Sequence, residues 1–200
     1  MSRARVRDAY AARSAEYIRL FGSIEAAAEQ DREYVLAWAQ AVDGQVMDIG
    51  CGPGQWTDYL HQRGVDIEGV DPVPEFIDEA QQRYPGVAYR IGHADQLGVE
   101  DASLGGVLAW YSLIHTHPDR MVEPLTEFAR CVRPGGTLVI GFCEGAELAA
   151  FDHAVTTAYF WPVDLLSSRL EEAGFAVADV RTRADPGVRP HGAIIAQRGG

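Results

Sequence analysis

The segment Val46 to Gly54, reading Val-Met-Asp-Ile-Gly-Cys-Gly-Pro-Gly, constrains this chain more than any other. An apolar run of strand length passes into three glycines at every second position, and a helical pattern begins directly after them. Each glycine lets backbone come close to something, either by adopting positive φ or by presenting no Cβ. A strand-to-helix turn also aims several unpaired N–H groups at one spot. A β-loop-α unit with a ligand of nucleoside type at its turn is therefore expected.

The rest of the chain repeats that alternation. Apolar and aromatic residues at near-helical spacing from Val6 to Phe21 predict a first helix ending at Gly22, and Ala26 to Val42 predicts a second. After the first strand, Val46 to Ile49, the residues Trp56, Tyr59, Leu60 and Arg63 share one helical face that Gly64 closes. Val65–Val70, Val87–Ile91, Gly105–Ala109 and Thr137–Phe142 read as further strands. Helices opening at Pro74 and near Asp119 lie between them, and Arg133-Pro134-Gly135-Gly136 reads as a turn. Pro162 opens a last helix that stops at Gly174, before strands at Phe175–Thr182 and Ala193–Gln197. Strands alternating with helices predict an α/β fold, a Rossmann-like doubly wound sheet with helices on both faces and ligands at the carboxyl ends of its strands. One domain over residues 1–200 is expected, with 1–44 as N-terminal helices forming a lid and 45–200 as the sheet core.

Composition excludes several partners. The net charge of −12 repels polyanions, all 17 basic residues are arginine, and no basic cluster relieves the repulsion, so nucleic acid is not an expected partner. No apolar run reaches 18 residues and no signal-like segment opens the chain, so neither membrane nor export is expected. Cys51, Cys131 and Cys143 are odd in number and carry no C-x-x-C pair, which fits a reducing cytoplasm and suggests neither disulfides nor a zinc site.

The loop discriminates between cofactors. A dinucleotide loop has G-x-G-x-x-G spacing and seats a pyrophosphate. Here the pattern is Gly50-x-Gly52-x-Gly54, Asp48 precedes it, and Pro53 removes an N–H that a phosphate could have used. An acid at Asp48 fits a ligand carrying sulfonium and ammonium groups better than a diphosphate. At the end of the second strand, Asp71 is placed to accept from both hydroxyls of a ribose.

At these residues the chain resembles the class I S-adenosylmethionine-dependent methyltransferases, of the small-molecule, methyltransferase type 11-like kind. Asp48 to Gly54 is similar to that family's glycine motif, Gly69-Val70-Asp71 to its ribose motif, Gly92 to Leu97 to its adenine loop, and Leu125 to Phe142 to its later helix, turn and fifth strand. The resemblance implies a seven-stranded sheet with the last strand antiparallel. It implies that Gly50, Cys51 and Gly52 approach the methionine moiety, Asp71 and Pro72 the ribose, and Ala94, Asp95 and Gln96 the adenine, with Asp95 bonding its amino group. Trp110 would line the methionine side, and Tyr17, or else Tyr10, would reach over from the first helix to the carboxylate.

Plainer readings stand beside these. Asp71 could cap the helix at Pro74, Asp95 could cap a turn, Cys51 could simply fill a tight loop, and Trp110 and Tyr111 could be core. His115 is the first candidate for a base or an acceptor contact, with an ordinary loop histidine as the alternative. The Ala109-Trp110-Tyr111-Ser112 segment lacks the Asn/Asp-Pro-Pro-aromatic pattern of enzymes that methylate base or amide nitrogen. Only about twenty residues, with Phe151, Tyr159, Phe160 and Trp161 among them, separate the fifth strand from the helix at Pro162, enough to cover a small apolar acceptor. The expected function is methyl transfer from S-adenosylmethionine to a small molecule by in-line displacement, with Tyr111, His115 and Trp161 at the acceptor. No metal is expected, and the protein would act as a monomer or homodimer. The alternatives are an NAD(P)-dependent oxidoreductase and a non-catalytic S-adenosylmethionine-binding protein.

Overall fold

The sheet is organised around a central strand, β1 (Val46–Ile49), all four of whose residues are buried. A strand sandwiched between helix layers has no solvent face, so it reads as a continuous apolar run rather than an alternating one. In the computed structural model, which describes residues 3–200, β1 lies parallel between β2 (Ile67–Asp71) and β4 (Leu104–Trp110). Beyond them stand β3 (Ala88–Ile91), against β2, and β5 (Val132–Glu144), against β4. The order β3-β2-β1-β4-β5 reverses direction between β1 and β4, which opens a crevice at the carboxyl ends of those two strands. β9 (His191–Arg198) runs antiparallel to β5 from Thr137 to Cys143, and β8 (Phe175–Arg183) closes that side of the sheet. The mostly parallel sheet, in which β9 runs against its neighbours, matches the expected class.

Residues of β1 alternate between two layers. Met47 and Ile49 join Leu125, Phe128, Leu166 and Leu170 of α6 (Val122–Cys131) and α7 (Val163–Glu172). Val46 faces Tyr34, Val35 and Trp38 of α3 (Glu29–Ala41) and Leu60 of α4 (Gln55–His61). Each large side chain so buried contributes about 1.5–3 kcal/mol. α5 (Pro74–Arg83) covers the loop after β1 with Ile77 and Ala80, against Cys51 and Tyr89.

Three features depart from the expected pattern. The N-terminal run is two helices, α1 (Arg3–Ala11) and α2 (Ser14–Phe21), interrupted where Arg13 leaves helical geometry at φ −120° and ψ 15°. Neither Ala12 nor Arg13 breaks a helix by itself; the interruption accompanies the packing of both segments on α5 and a hydrogen bond from Arg13 to the Ala154 carbonyl. The predicted turn at Arg133–Gly136 lies inside β5, as a bulge between the pairs Leu104–Val132 and Gly106–Thr137, with Gly135 at φ +79°. The sheet has nine strands among the described residues rather than seven. The segment read as a flap forms a hairpin, β6 (Ala149–Phe151) and β7 (Ala158–Trp161), and β7 pairs with Cys143 and Glu144 past the point where β4 ends. Strands of three and four residues carry too little period-two signal to be seen in a sequence. Of the expected N-terminal segment 1–44, the first two residues lie outside the described part.

Candidate active site

The carboxyl ends of β1, β2, β4 and β5 open into a cavity of about 870 Å³. On its floor, Gly50, Gly52 and Gly54 all take positive φ, at +70°, +55° and +86°. They are glycines for different reasons. A Cβ on Gly50 would stand 2.4 Å from the Ser112 Cβ, and one on Gly54 would press within 3 Å of Tyr89 and Ala80, so both are demanded by packing. A Cβ on Gly52 would meet nothing closer than the Tyr17 ring at 3.8 Å. Gly52 thus leaves the cavity floor open.

Asp71 fixes this floor. One of its oxygens accepts the Gly52 N–H at 2.9 Å and the other accepts the Val73 N–H at 2.8 Å, tying the glycine loop to the entry of α5. It does not cap α5, whose N-cap is Val73 with no side-chain cap bond; it is a wall of the cavity, and each oxygen keeps a free lone pair. Asp48 is 2% exposed and accepts the Thr57 hydroxyl at 2.7 Å. Burial pushes its carboxyl up to about 7, against the Thr57 bond and with help from the Asp71 charge. Burial likewise moves Asp71 up to about 6, outweighing its two N–H bonds. Neither acid has a cationic partner among the described residues. Burial also holds the Cys51 thiol protonated, well above its ordinary range, so it is a filler of the loop and not a nucleophile.

Along the β3 side, Pro72, Ala94 and Asp95 line the cavity. One oxygen of Asp95 is ion-paired with Arg3 of α1, while Oδ1 is buried with no partner. Gln96 is a correction: its side chain is exposed, off the cavity, and its backbone bridges to His93 to close the turn. Trp110 ends β4 on the cavity wall, 5.6 Å from the Trp56 ring. Tyr111 follows in left-handed geometry at φ 58°, strain of about 1 kcal/mol for a residue with a side chain, and its hydroxyl meets His191 Nδ1.

The other end of the cavity is built around His115, which is buried. Its Nδ1 donates to the Thr157 carbonyl at 2.8 Å, which leaves Nε2 unprotonated and able to accept the Tyr10 hydroxyl at 2.9 Å. Burial holds this imidazole below its ordinary pKa, in the neutral form. Tyr17 stands over Gly52, its ring 5.5 Å from that of Tyr10 and 5.2 Å from Phe76. Trp161 is a second correction. It is 2% exposed and packs in the core with Leu166 and Leu170, off the cavity, because β7 turns it beneath the sheet. The sequence missed the contact between Tyr10 and His115, the ring of His153 at 5.0 Å from His115, and the reach of Arg3 and Arg189 into the cavity. Only Tyr10 carried any signal, as the alternative to Tyr17.

Comparison with known proteins identifies the family and the fold. The family model described as a methyltransferase domain matches residues 46–136. The O-methyltransferase resE of Aspergillus sclerotiorum is 31% identical over 182 residues, covering 82% of this chain and 68% of that protein. A methyltransferase of Mycobacterium tuberculosis is 33% identical over 123 residues, 59% of this chain and 49% of the relative. The chain spans about half the length of this and the other leading curated relatives it matches. Among solved structures, the 1,6-didemethyltoxoflavin-N1-methyltransferase of Burkholderia thailandensis, with bound 1,6-didemethyltoxoflavin and S-adenosylhomocysteine, shares the fold. Its TM-score is 0.82 over 98% of this chain and 88% of that one, at 22% identity.

Proposed function

The chain belongs to the class I S-adenosylmethionine-dependent methyltransferases, and from that premise we propose that it transfers a methyl group from S-adenosylmethionine to a small-molecule acceptor bound against His115. The observation that carries this reading is the pair of buried carboxylates, Asp48 and Asp71, left without a cation beside a glycine floor. The acid at Asp48, beside the loop, disfavours a pyrophosphate and favours a ligand bearing positive charge, whereas Asp71 would serve the ribose of either cofactor. The unpartnered Oδ1 of Asp95 is a second fit, since it lacks only a donor such as an adenine amino group.

When bound, S-adenosylmethionine supplies a methyl group on sulfonium sulfur, already activated for in-line displacement. Asp71 would accept the ribose hydroxyls on its free lone pairs, with Pro72 beside it. Asp95 and Ala94 would hold the adenine. Gly50, Cys51 and Gly52 would offer backbone to the methionine moiety, with Trp110 as its wall and Tyr17 over it. Asp48 balances positive charge there. His115 would take the acceptor's proton at Nε2, the atom that now accepts from Tyr10, while Thr157 holds the ring in the competent tautomer. Tyr111 would line the acceptor pocket. The helices α1 and α2 would act as a lid, since they bring Arg3, Tyr10 and Tyr17 onto the cavity, whereas α3 of the 1–44 segment belongs to the core layer. Alignment of acceptor and methyl can supply about 7–11 kcal/mol of the barrier, so one base suffices. Three free cysteines suit a cytoplasmic protein. Monomer and homodimer are both compatible with a site built from one chain.

Calorimetric titration with S-adenosylhomocysteine and with NAD tests the cofactor. Micromolar binding of the first and none of the second is expected; binding of NAD alone would reject the reading. Transfer of label from methyl-labelled S-adenosylmethionine into a metabolite extract then separates an enzyme from a protein that only binds the cofactor.

A further inference from the structure

Resting on that reading, we infer that the acceptor is a small acid whose carboxylate is held by Arg189, stacked on Phe151 at the far end of the cavity from Asp71. Six arginines line the cavity wall: Arg3, Arg7, Arg13, Arg120, Arg183 and Arg189. The first five each meet a carboxylate, respectively of Asp95, Asp8, Glu16, Glu123 and Asp31. Arg189 meets none among the described residues, in a chain where 29 acidic residues outnumber 17 basic ones. Arg189 is exposed at the rim of the cavity, and among the arginines lining it only this one lacks a carboxylate partner among the described residues.

Its surroundings define what would complete it. The guanidinium carbon lies 4.8 Å from the centroid of the Phe151 ring, which in turn stacks on Phe160 at 4.2 Å and 30°. The cation–π contact positions the guanidinium, and no hydrogen bond from it is made among the described residues, so its N–H donors are available to grip a planar carboxylate. Its charge opposes the burial-driven rise of the Cys143 thiol and adds, behind burial and His115, to the lowering of His153, so its field reaches the cavity lining. His153 is held neutral, down to about 4, chiefly by burial, so Arg189 stands there as a single positive charge. One cation matches a monoanion, whereas a phosphate dianion would remain half neutralised. His153 lies between this cation and the base, its ring 5.0 Å from that of His115. The subsite therefore selects an acid whose nucleophilic group reaches His115 while its carboxylate is fixed at Arg189. The anion enters against a net charge of −12, so this local cation also determines whether such an acceptor binds at all.

The test uses a metabolite extract separated by anion exchange into acidic and neutral fractions before reaction, with one portion of the acidic fraction treated with phosphatase. Methyl-labelled S-adenosylmethionine is the donor and wild type, Arg189→Gln and Arg189→Lys are compared. Label is expected from the acidic fraction, insensitive to phosphatase. It should fall at least tenfold in R189Q and less in R189K, with S-adenosylhomocysteine affinity unchanged in both. Label confined to the neutral fraction, label abolished by phosphatase, or R189Q equal to wild type would each overturn the inference. Loss of S-adenosylhomocysteine affinity in R189Q would also overturn it, since Arg189 would then serve the cofactor. Label from neither fraction, with cofactor affinity intact, rejects methyl transfer itself and this subsite with it.

Discussion

Replacing Asp48 by asparagine should make the ligand-free protein more stable and the protein worse at its function. A carboxyl moved from its ordinary 3.8 to about 7 carries a penalty of about 4 kcal/mol in its charged form, at about 1.4 kcal/mol per tenfold. Because the folded-state value is raised, the stability associated with this group is complete below 3.8 and is lost as pH rises through about 7. Asparagine keeps an oxygen for the Thr57 hydroxyl and has no charge to desolvate. D48N should therefore gain about 2–4 kcal/mol at pH 8.5, the lower figure allowing for the share due to Asp71. The gain should shrink to about 2 kcal/mol or less at pH 5.5 and to almost nothing near pH 4. For a chain of this size each kcal/mol is worth about 2–4 °C in Tm. Urea unfolding across that pH range measures the gain directly. Titration with S-adenosylmethionine and S-adenosylhomocysteine measures its functional cost. Removing one charge even 8 Å from a cation costs about 2 kcal/mol at an effective dielectric constant near 20, so affinity for the sulfonium form should fall some ten- to thirtyfold more than for the thioether. A D48N protein that is no more stable at pH 8.5 would refute the claim that this acid is buried at a cost. One that is more stable yet binds both ligands as before would refute the claim that the cost serves a cationic cofactor.

The two glycines of the floor should separate in behaviour: G50A meets the Ser112 Cβ and should lose about 3 kcal/mol or more of stability, while G52A bears only about 1 kcal/mol of left-handed strain. G52A should therefore remain folded by circular dichroism and lose S-adenosylhomocysteine affinity by calorimetry. The kcat/KM of the wild type should show an acid limb with its midpoint below 6.5, because burial favours neutral His115; H115Q should remove that limb and lower kcat by about 10²–10⁴. Trp161 should matter to stability alone. W161A should cost about 3–5 kcal/mol, and W161F far less because the indole N–H it removes has no partner, with cofactor affinity unchanged in both.

The α/β order was legible because each local signal agreed with the next. Apolar runs of strand length, Pro74 and Pro162 near helix starts, and Gly64 and Gly174 in left-handed geometry just past helix ends all mark the boundaries the structure has. Where tertiary packing decides, the local signals failed. Nothing at Ala12–Arg13 breaks a helix, and nothing in Ala149–Phe151 announces a strand; each takes its form from what it packs on. Trp161 and Gln96 were misplaced for a related reason: both lie in segments that reach the site, but a turn of one residue faces them away from it.

The site divides along the same line. The glycine floor, Asp48 and Asp71 lie in consecutive β-loop-α units, so sequence spacing alone brings them to one sheet edge. The pairs that complete the cavity are distant: Tyr10 and His115 are 105 positions apart and Arg3 and Asp95 are 92 apart. Such pairings depend on how α1 lies across the sheet, and a single sequence has no periodicity that encodes it. The chemistry of the partners was nonetheless readable. A histidine at a strand end needs one nitrogen fixed to be a base, and Thr157 supplies that at 2.8 Å from the hairpin the sequence did not reveal. The same hairpin carries Phe151 beneath Arg189. One short hairpin between β5 and α7 thus fixes the His115 ring and supports the Arg189 cation. The motif-bearing half of the chain carries the cofactor signal, and on our proposal this hairpin would shape the acceptor end of the cavity.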